Sequence, residues 1–268
     1  MSLRLLFLCD LKLESIMIGD HLEDLVIVSQ TVLHTFPAYI AEFIGTFFLV
    51  FTVGLNVSMQ NPNAPLSIGS ILMVMIFSMG SVSGAHFNPS VTLGIVLGNP
   101  SKFTLTDAPI YMIVQVLGGI AGAGISFALT GDEITVKPGD QFSVFLAALP
   151  EMIFTMALAF VVLNVATSRD AGNHYYGVAI GFTVISAAYA IGPISGAYLN
   201  PAVTLGVFVF SQEEIQSVGV YIVAQIIGSL LAALAFRAVR FSRKAEPTSE
   251  VQEEVNECGE GLSHLSIR

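Results

Sequence analysis

Tryptophan is absent from this chain of 268 residues, and charged side chains make up only 11% of it. Ordinary soluble domains carry about 25% charged residues, so a soluble enzyme or binding module of ordinary composition is excluded. Cysteine is almost missing as well. Cys9 and Cys258 lie near the two ends of the chain with no metal-ligand spacing, which excludes a disulfide framework or a redox pair. The 10 Lys and Arg are outnumbered by 20 Asp and Glu, and no nucleic-acid partner is expected. No nucleophile–base pair or metal constellation stands out, so an enzyme is not expected.

Hydrophobic residues fill the gap, at 54% of the chain with a mean hydropathy of +0.77. Long apolar segments run over about 37–58, 66–82, 108–130, 143–166, 174–192 and 216–239. They predict an all-α, multi-pass membrane protein. With no Trp, any aromatic belt must come from the 7 Tyr and 19 Phe.

Two shorter apolar stretches follow the second and fifth segments: SGAHFNPSVTLGIVLG from Ser83 and SGAYLNPAVTLGVFVF from Ser195. In each, a small-residue turn leads into Asn-Pro. Asn is a favoured helix N-cap, and Pro is favoured at the first helical position because its missing N–H would be unpaired there anyway. The roughly ten residues that follow span only half of a hydrocarbon core about 30 Å thick. Each Asn-Pro therefore predicts a re-entrant half-helix. Matching interrupted segments in two halves of a membrane chain point to a transport site near the midplane. There the dipoles of both half-helices and the amides of Asn88 and Asn200 would converge.

The halves are repeats. Glu42 pairs with Glu151, Tyr111, Gln115 and Gly118 with Tyr221, Gln225 and Gly228, and Asn88 with Asn200, all about 110 residues apart. An odd number of full spans per repeat makes the second enter the membrane from the opposite side. The expected organisation is a cytoplasmic tail over 1–36, a channel domain over 37–240, and an acidic, disordered tail over 241–268. Within the domain the repeats cover about 37–130 and about 143–240. A peripheral membrane contact for the first tail and a partner-binding role for the second remain open. Placing both termini in the cytoplasm puts every Lys and Arg except Lys137 on that side, as the positive-inside rule favours.

Glu42 and Glu151 are the only acids well inside the predicted spans, and an intramembrane carboxylate is by default a functional candidate. Their matching positions favour a structural role, accepting hydrogen bonds from the unwound backbone before each half-helix. A proton-coupled role is the alternative. His86 has Tyr198 as its repeat partner and no second His or Cys beside it, so a shared polar lining role is expected and neither a metal nor another cofactor is. Small residues four apart, such as Gly118 and Gly122 or Gly177 and Gly181, predict close helix packing.

The stretches AEFIGTFFLVF, SGAHFNPS, YMIVQVLGG, SGAYLNPAVTLG and YIVAQIIGS together resemble the aquaporins, or major intrinsic proteins. The resemblance implies six transmembrane helices plus two half-helices, a pore in each subunit, and a homotetramer in the membrane lipid. It assigns the pore boxes to Asn88, Pro89, Ser90 and Asn200, Pro201, Ala202. Carbonyls of Gly84, Ala85 and His86, and of Gly196, Ala197 and Tyr198, would line the single-file path. The positions of the family's narrow outer filter correspond to Ile68, Ala188, Ala197 and Val203.

Two departures stand out. Ser90 replaces the usual Ala of the first box, and Val203 stands where the family usually has an arginine. An all-apolar filter predicts a wide, uncharged constriction. The leading expectation is thus a passive channel for water and small neutral solutes such as glycerol, urea or ammonia. A coupled secondary transporter working through Glu42 and Glu151, or a non-conducting junction protein, are the alternatives. Because neither cysteine lies in a predicted span, mercurials should not block flux through a thiol. Inhibition that vanishes on mutating Cys9 or Cys258 would contradict this.

Overall fold

The computed structural model describes residues 36–133, 137–168, 173–211 and 215–241. The two tails, and with them Cys9, Cys258 and the acidic run, lie outside the described residues. Among the described residues, six helices of 20 to 27 residues are long and apolar enough to cross a membrane. They are α1 (Phe36–Ser58), α2 (Ala64–Ser83), α4 (Ala108–Thr130), α5 (Val144–Val162, continued by a π turn Leu163–Thr167), α6 (Tyr176–Ser195) and α8 (Ile215–Phe241). Between them sit two short helices, α3 (Pro89–Gly98) and α7 (Pro201–Phe208).

Hydrogen bonds at the helix ends fix the directions. Tyr39 at the start of α1 bonds Asp107 at the start of α4, and Thr130 at the end of α4 bonds Ser58 at the end of α1, so these two helices run parallel. Asn99, just past α3, donates to the Thr167 carbonyl at the end of α5. Arg240, near the end of α8, donates to Asn164 in the same π turn. Hence α3, α5 and α8 end on the face where α1 and α4 begin. On the opposite face, Gly139 ahead of α5 donates to the Ile194 carbonyl near the end of α6. Consequently α5 runs against α1, its counterpart in the first repeat, and α3 and α7 leave the middle of the bundle toward opposite faces. This is the inverted repeat.

Lipid offers no hydrophobic drive for helices to associate, so close van der Waals packing must do it. Equivalent glycines supply the contact in both repeats. A Cβ on Gly118 of α4 would lie 2.4 Å from the Phe43 carbonyl oxygen of α1, and one on Gly228 of α8 would lie 2.3 Å from the Met152 carbonyl oxygen of α5. Only a residue without Cβ lets these backbones touch. Large apolar side chains such as Ile113, Leu117, Phe182 and Leu234 are exposed, where acyl chains would cover them.

Two features differ from the expected spans. Helix α6 runs past Gly192 and keeps Pro193 inside its last turn, stopping at Gly196 with φ 94°. A proline there forfeits one helical hydrogen bond and does not end the helix. Helix α5 widens into the π turn, which no residue pattern announced.

Replacing Gly118 or Gly228 by Val should drive the paired helices apart, at a cost of about 1–3 kcal/mol. Thermal unfolding of the purified protein in detergent checks this: a lower midpoint is expected for each, and an unchanged midpoint would contradict the packing argument.

Candidate functional site: two half-helices on buried carboxylates

Asn88 and Asn200 N-cap the two short helices. Asn88 Oδ1 accepts from the Ser90 amide at 2.8 Å, and Asn200 Oδ1 accepts from the Ala202 amide at 2.9 Å. Both residues are extended, with φ −158° and −155°, and Pro89 and Pro201 take the next position, where no N–H is needed.

The chain before each cap is not helical. Ala85, Phe87, Ala197 and Leu199 have φ of 52°, 49°, 54° and 53°, a left-handed conformation that costs an L-residue roughly 1–2 kcal/mol. Successive amides in such alternating backbone converge into a concavity suited to an anion. Here the anion is a glutamate. Glu42 Oε1 accepts from the His86 amide at 2.9 Å and Oε2 from the Phe87 amide at 2.7 Å. Glu151 accepts from the Tyr198 amide at 2.9 Å and the Leu199 amide at 2.8 Å. Ser83 and Gln115 add bonds to Glu42 at 2.6 and 2.8 Å; Ser195 and Gln225 add bonds to Glu151 at 2.8 and 3.2 Å. Both carboxylates are fully buried.

A planar trans peptide points its C=O opposite to its N–H. Anchoring the amides of residues 86 and 87 on Glu42 therefore turns the carbonyls of Ala85 and His86 away from that carboxylate. The same logic turns away the carbonyls of Ala197 and Tyr198. These four residues all line one cavity, of about 460 Å³.

Across the dyad the two boxes are tied directly. Asn88 Nδ2 donates to the Leu199 carbonyl at 2.9 Å, and Asn200 Nδ2 to the Phe87 carbonyl at 2.8 Å. An amide NH2 carries two donors, so each asparagine has a second N–H to offer. Asn88 and Asn200 both line the cavity.

Ile68, Ala188, Ala197 and Val203 line it too, and none carries a polar side chain. Gly84 closes α2 with φ 84° and an amide bonded to Gly80, and the residues after it, Ala85, His86, Phe87 and Asn88, line the cavity. Gly196 closes α6 in the same way and does line the cavity. The His86 ring is buried between Phe103 and Tyr111, centroids 4.9 and 5.3 Å away, with Nδ1 3.1 Å from Thr92 Oγ1. Tyr198 packs edge-on against Tyr221. Pro89, Ser90, Pro201 and Ala202 are buried behind the caps.

A relay went unnoticed in the sequence. Gln115 Nε2, besides bonding Glu42, donates to Thr92 Oγ1 at 3.0 Å, and that hydroxyl lies 3.2 Å from the Asn88 carbonyl. Gln225, Thr204 and Asn200 repeat the chain at 3.0 and 3.1 Å. The signal was available: both Gln and both Thr recur at repeat-equivalent positions.

Two capped half-helices meeting start to start inside an inverted repeat of six spans define a membrane protein built around a central path. Comparison with known proteins identifies which such family this is. The sequence pattern of the Major intrinsic protein family matches residues 29–185 and again 145–264. The chain is 33% identical over 224 residues to nodulin-26 of Glycine max, covering 79% of this chain and 80% of that one. It is 34% identical over 215 residues to aquaporin NIP1-1 of Zea mays, covering 76% and 75%. Among solved structures it resembles the aquaglyceroporin from Plasmodium falciparum, with a TM-score of 0.67 at 23% identity, covering 77% of this chain and 96% of that one; at this identity the likeness concerns the fold. The chain belongs to the major intrinsic protein family and is an integral, multi-pass membrane protein of the aquaporin channel type.

Glu42→Gln or Glu151→Gln would set an NH2 group against backbone amides that need an acceptor. Leaving a buried donor unpaired costs about 1–3 kcal/mol, so each variant should unfold at a lower temperature in detergent than the wild type. Equal midpoints would mean that the carboxylates do not hold the strands.

Proposed function

We propose that the protein is a passive channel for water and small neutral solutes, including glycerol, urea and ammonia, with a pore in each subunit of a homotetramer. What supports this reading is that Asn88 and Asn200, each bonded across to the other box, line one cavity together with Ile68, Ala188, Ala197 and Val203, the four residues we assign to its outer ring. A permeant oxygen at the midplane accepts from both asparagines, and the carbonyls of Ala85, His86, Ala197 and Tyr198 receive its hydrogens on either side. The positive ends of α3 and α7 oppose cations at the same point. At the ring, a solute with a carbon skeleton gains apolar contact while water gains nothing.

The same placement supports cytoplasmic termini. Lys102, Arg237 and Arg240 belong to the face on which α3 and α8 end, and Lys137 to the opposite one; the cation-rich face is cytoplasmic by the positive-inside rule. A coupled transporter is disfavoured by the carboxylates themselves. Every bond recorded for Glu42 and Glu151 serves to hold the backbone or its supporting side chains.

Stopped-flow measurements on proteoliposomes, run in parallel for water, glycerol, urea and ammonia, test this. Wild-type vesicles should outpace protein-free ones for water and at least one larger solute. Asn88→Leu should return flux to the protein-free level in assembled protein, and Val203→Arg should lower the glycerol-to-water ratio. Water flux alone, with a ratio that Val203→Arg leaves unchanged, would overturn the open apolar filter.

A further inference from the structure

The cavity wall also draws on the segment joining α1 to α2 and on the start of α2. Pro62 of that segment and Pro65 in the first turn of α2 line it, as do Tyr189 and Pro193 of α6. Pro62 and Pro193 are exposed, as residues at an open mouth must be. Proline has no N–H, so neither ring brings a backbone donor to the mouth. A solute arriving here exchanges water for pyrrolidine carbon.

Pro62 does not sit there loosely. Asn61 Nδ2 donates to Asn56 Oδ1 at 2.7 Å, while both donors of the buried Asn56 amide are used, on the Thr52 carbonyl at 2.9 Å and Ser67 Oγ at 3.0 Å. Asn61 Oδ1 then accepts from the Asn63 amide at 3.0 Å, so the residue after Pro62 is tied to the residue before it. Backbone bonds from Asn61 to Asn56 and from Ala64 to Asn61 close the turn. One hydrogen-bond system thereby links the end of α1, the start of α2 and the proline between them.

We propose that Pro62 is a specificity-determining residue at the outer mouth and that Asn61, through Asn56, is the positioning residue that holds it on the path. The solutes it favours are small, neutral and one-sided, with a hydrogen-bonding edge for the asparagine pair and an apolar face for the prolines. The inference rests on the channel reading above and adds a selective step outside the filter ring.

N-methylurea and urea are the probes, since they share the polar edge and differ by one methyl group. Flux of each is measured in the same proteoliposomes, less the flux through protein-free vesicles, for wild type, Pro62→Ser and Asn61→Ala. Using the ratio within one preparation removes differences in the amount of assembled protein. The methylurea-to-urea ratio should fall in both variants, by up to about fourfold, the factor that one buried methyl group is worth. An unchanged ratio in both variants, with urea still crossing, overturns the proposal, and a fall in Pro62→Ser alone overturns the part given to Asn61. Wild-type vesicles that pass neither urea nor methylurea overturn the solute range on which it rests, and failure to pass water as well overturns the channel reading itself.

Discussion

The half-helices of this structure follow irregular backbone placed where the bilayer offers no water to satisfy it. An unpaired amide or carbonyl at that depth costs several kcal/mol, so such segments persist only with partners supplied by the protein. Glu42 and Glu151 are those partners. Each carboxylate takes two consecutive amides, one serine hydroxyl and one glutamine amide, which offsets the left-handed residues on either side. A charged acceptor suits the task because it has no donor of its own to clash with the converging N–H groups. The direction of the carbonyls, the start of each half-helix and the meeting of the two asparagines all descend from that choice.

The repeat is close but not perfect, and the differences fall at informative places. Tyr111 donates to the Ser83 carbonyl at 3.0 Å, whereas the buried hydroxyl of its counterpart Tyr221 has no partner among the described residues. Ser229 donates to the Ser90 carbonyl; in the other repeat, where Ala202 replaces Ser90, Gly119 packs directly against the Ala202 carbonyl. Here a hydroxyl bond and a glycine contact are alternative solutions to seating the first turn of a half-helix against a long one. His86 is packed among aromatics, while Tyr198 in the equivalent place is half-exposed. The framework is thus symmetric, and the walls are not.

Much of the fold was legible because membrane spans are written in composition and length, and half-helices in the Asn-Pro pair. The repeat made Glu42 and Glu151 stand out as a pair, and inversion followed from counting spans. Other features have no local signal. The π turn at the end of α5 depends on Asn99, Asn173 and Arg240, which reach it from three other segments. Helix α6 runs past the expected end at 192 and through Pro193, because a proline in the last turn sacrifices one bond only. The bonds from Asn88 to Leu199 and from Asn200 to Phe87 join residues more than a hundred positions apart, and only the assembled dyad reveals them.

The central claim is that buried carboxylates, in place of water, satisfy the unwound strands beside an aqueous path. Backbone hydrogen exchange in lipid nanodiscs, resolved at His86, Phe87, Tyr198 and Leu199, tests it directly. These amides belong to no helix, yet anchored on Glu42 and Glu151 they should exchange as slowly as those in the middle of α4 and α8. Exchange as fast as that of an open loop would mean that the four amides face water, and the account would fail.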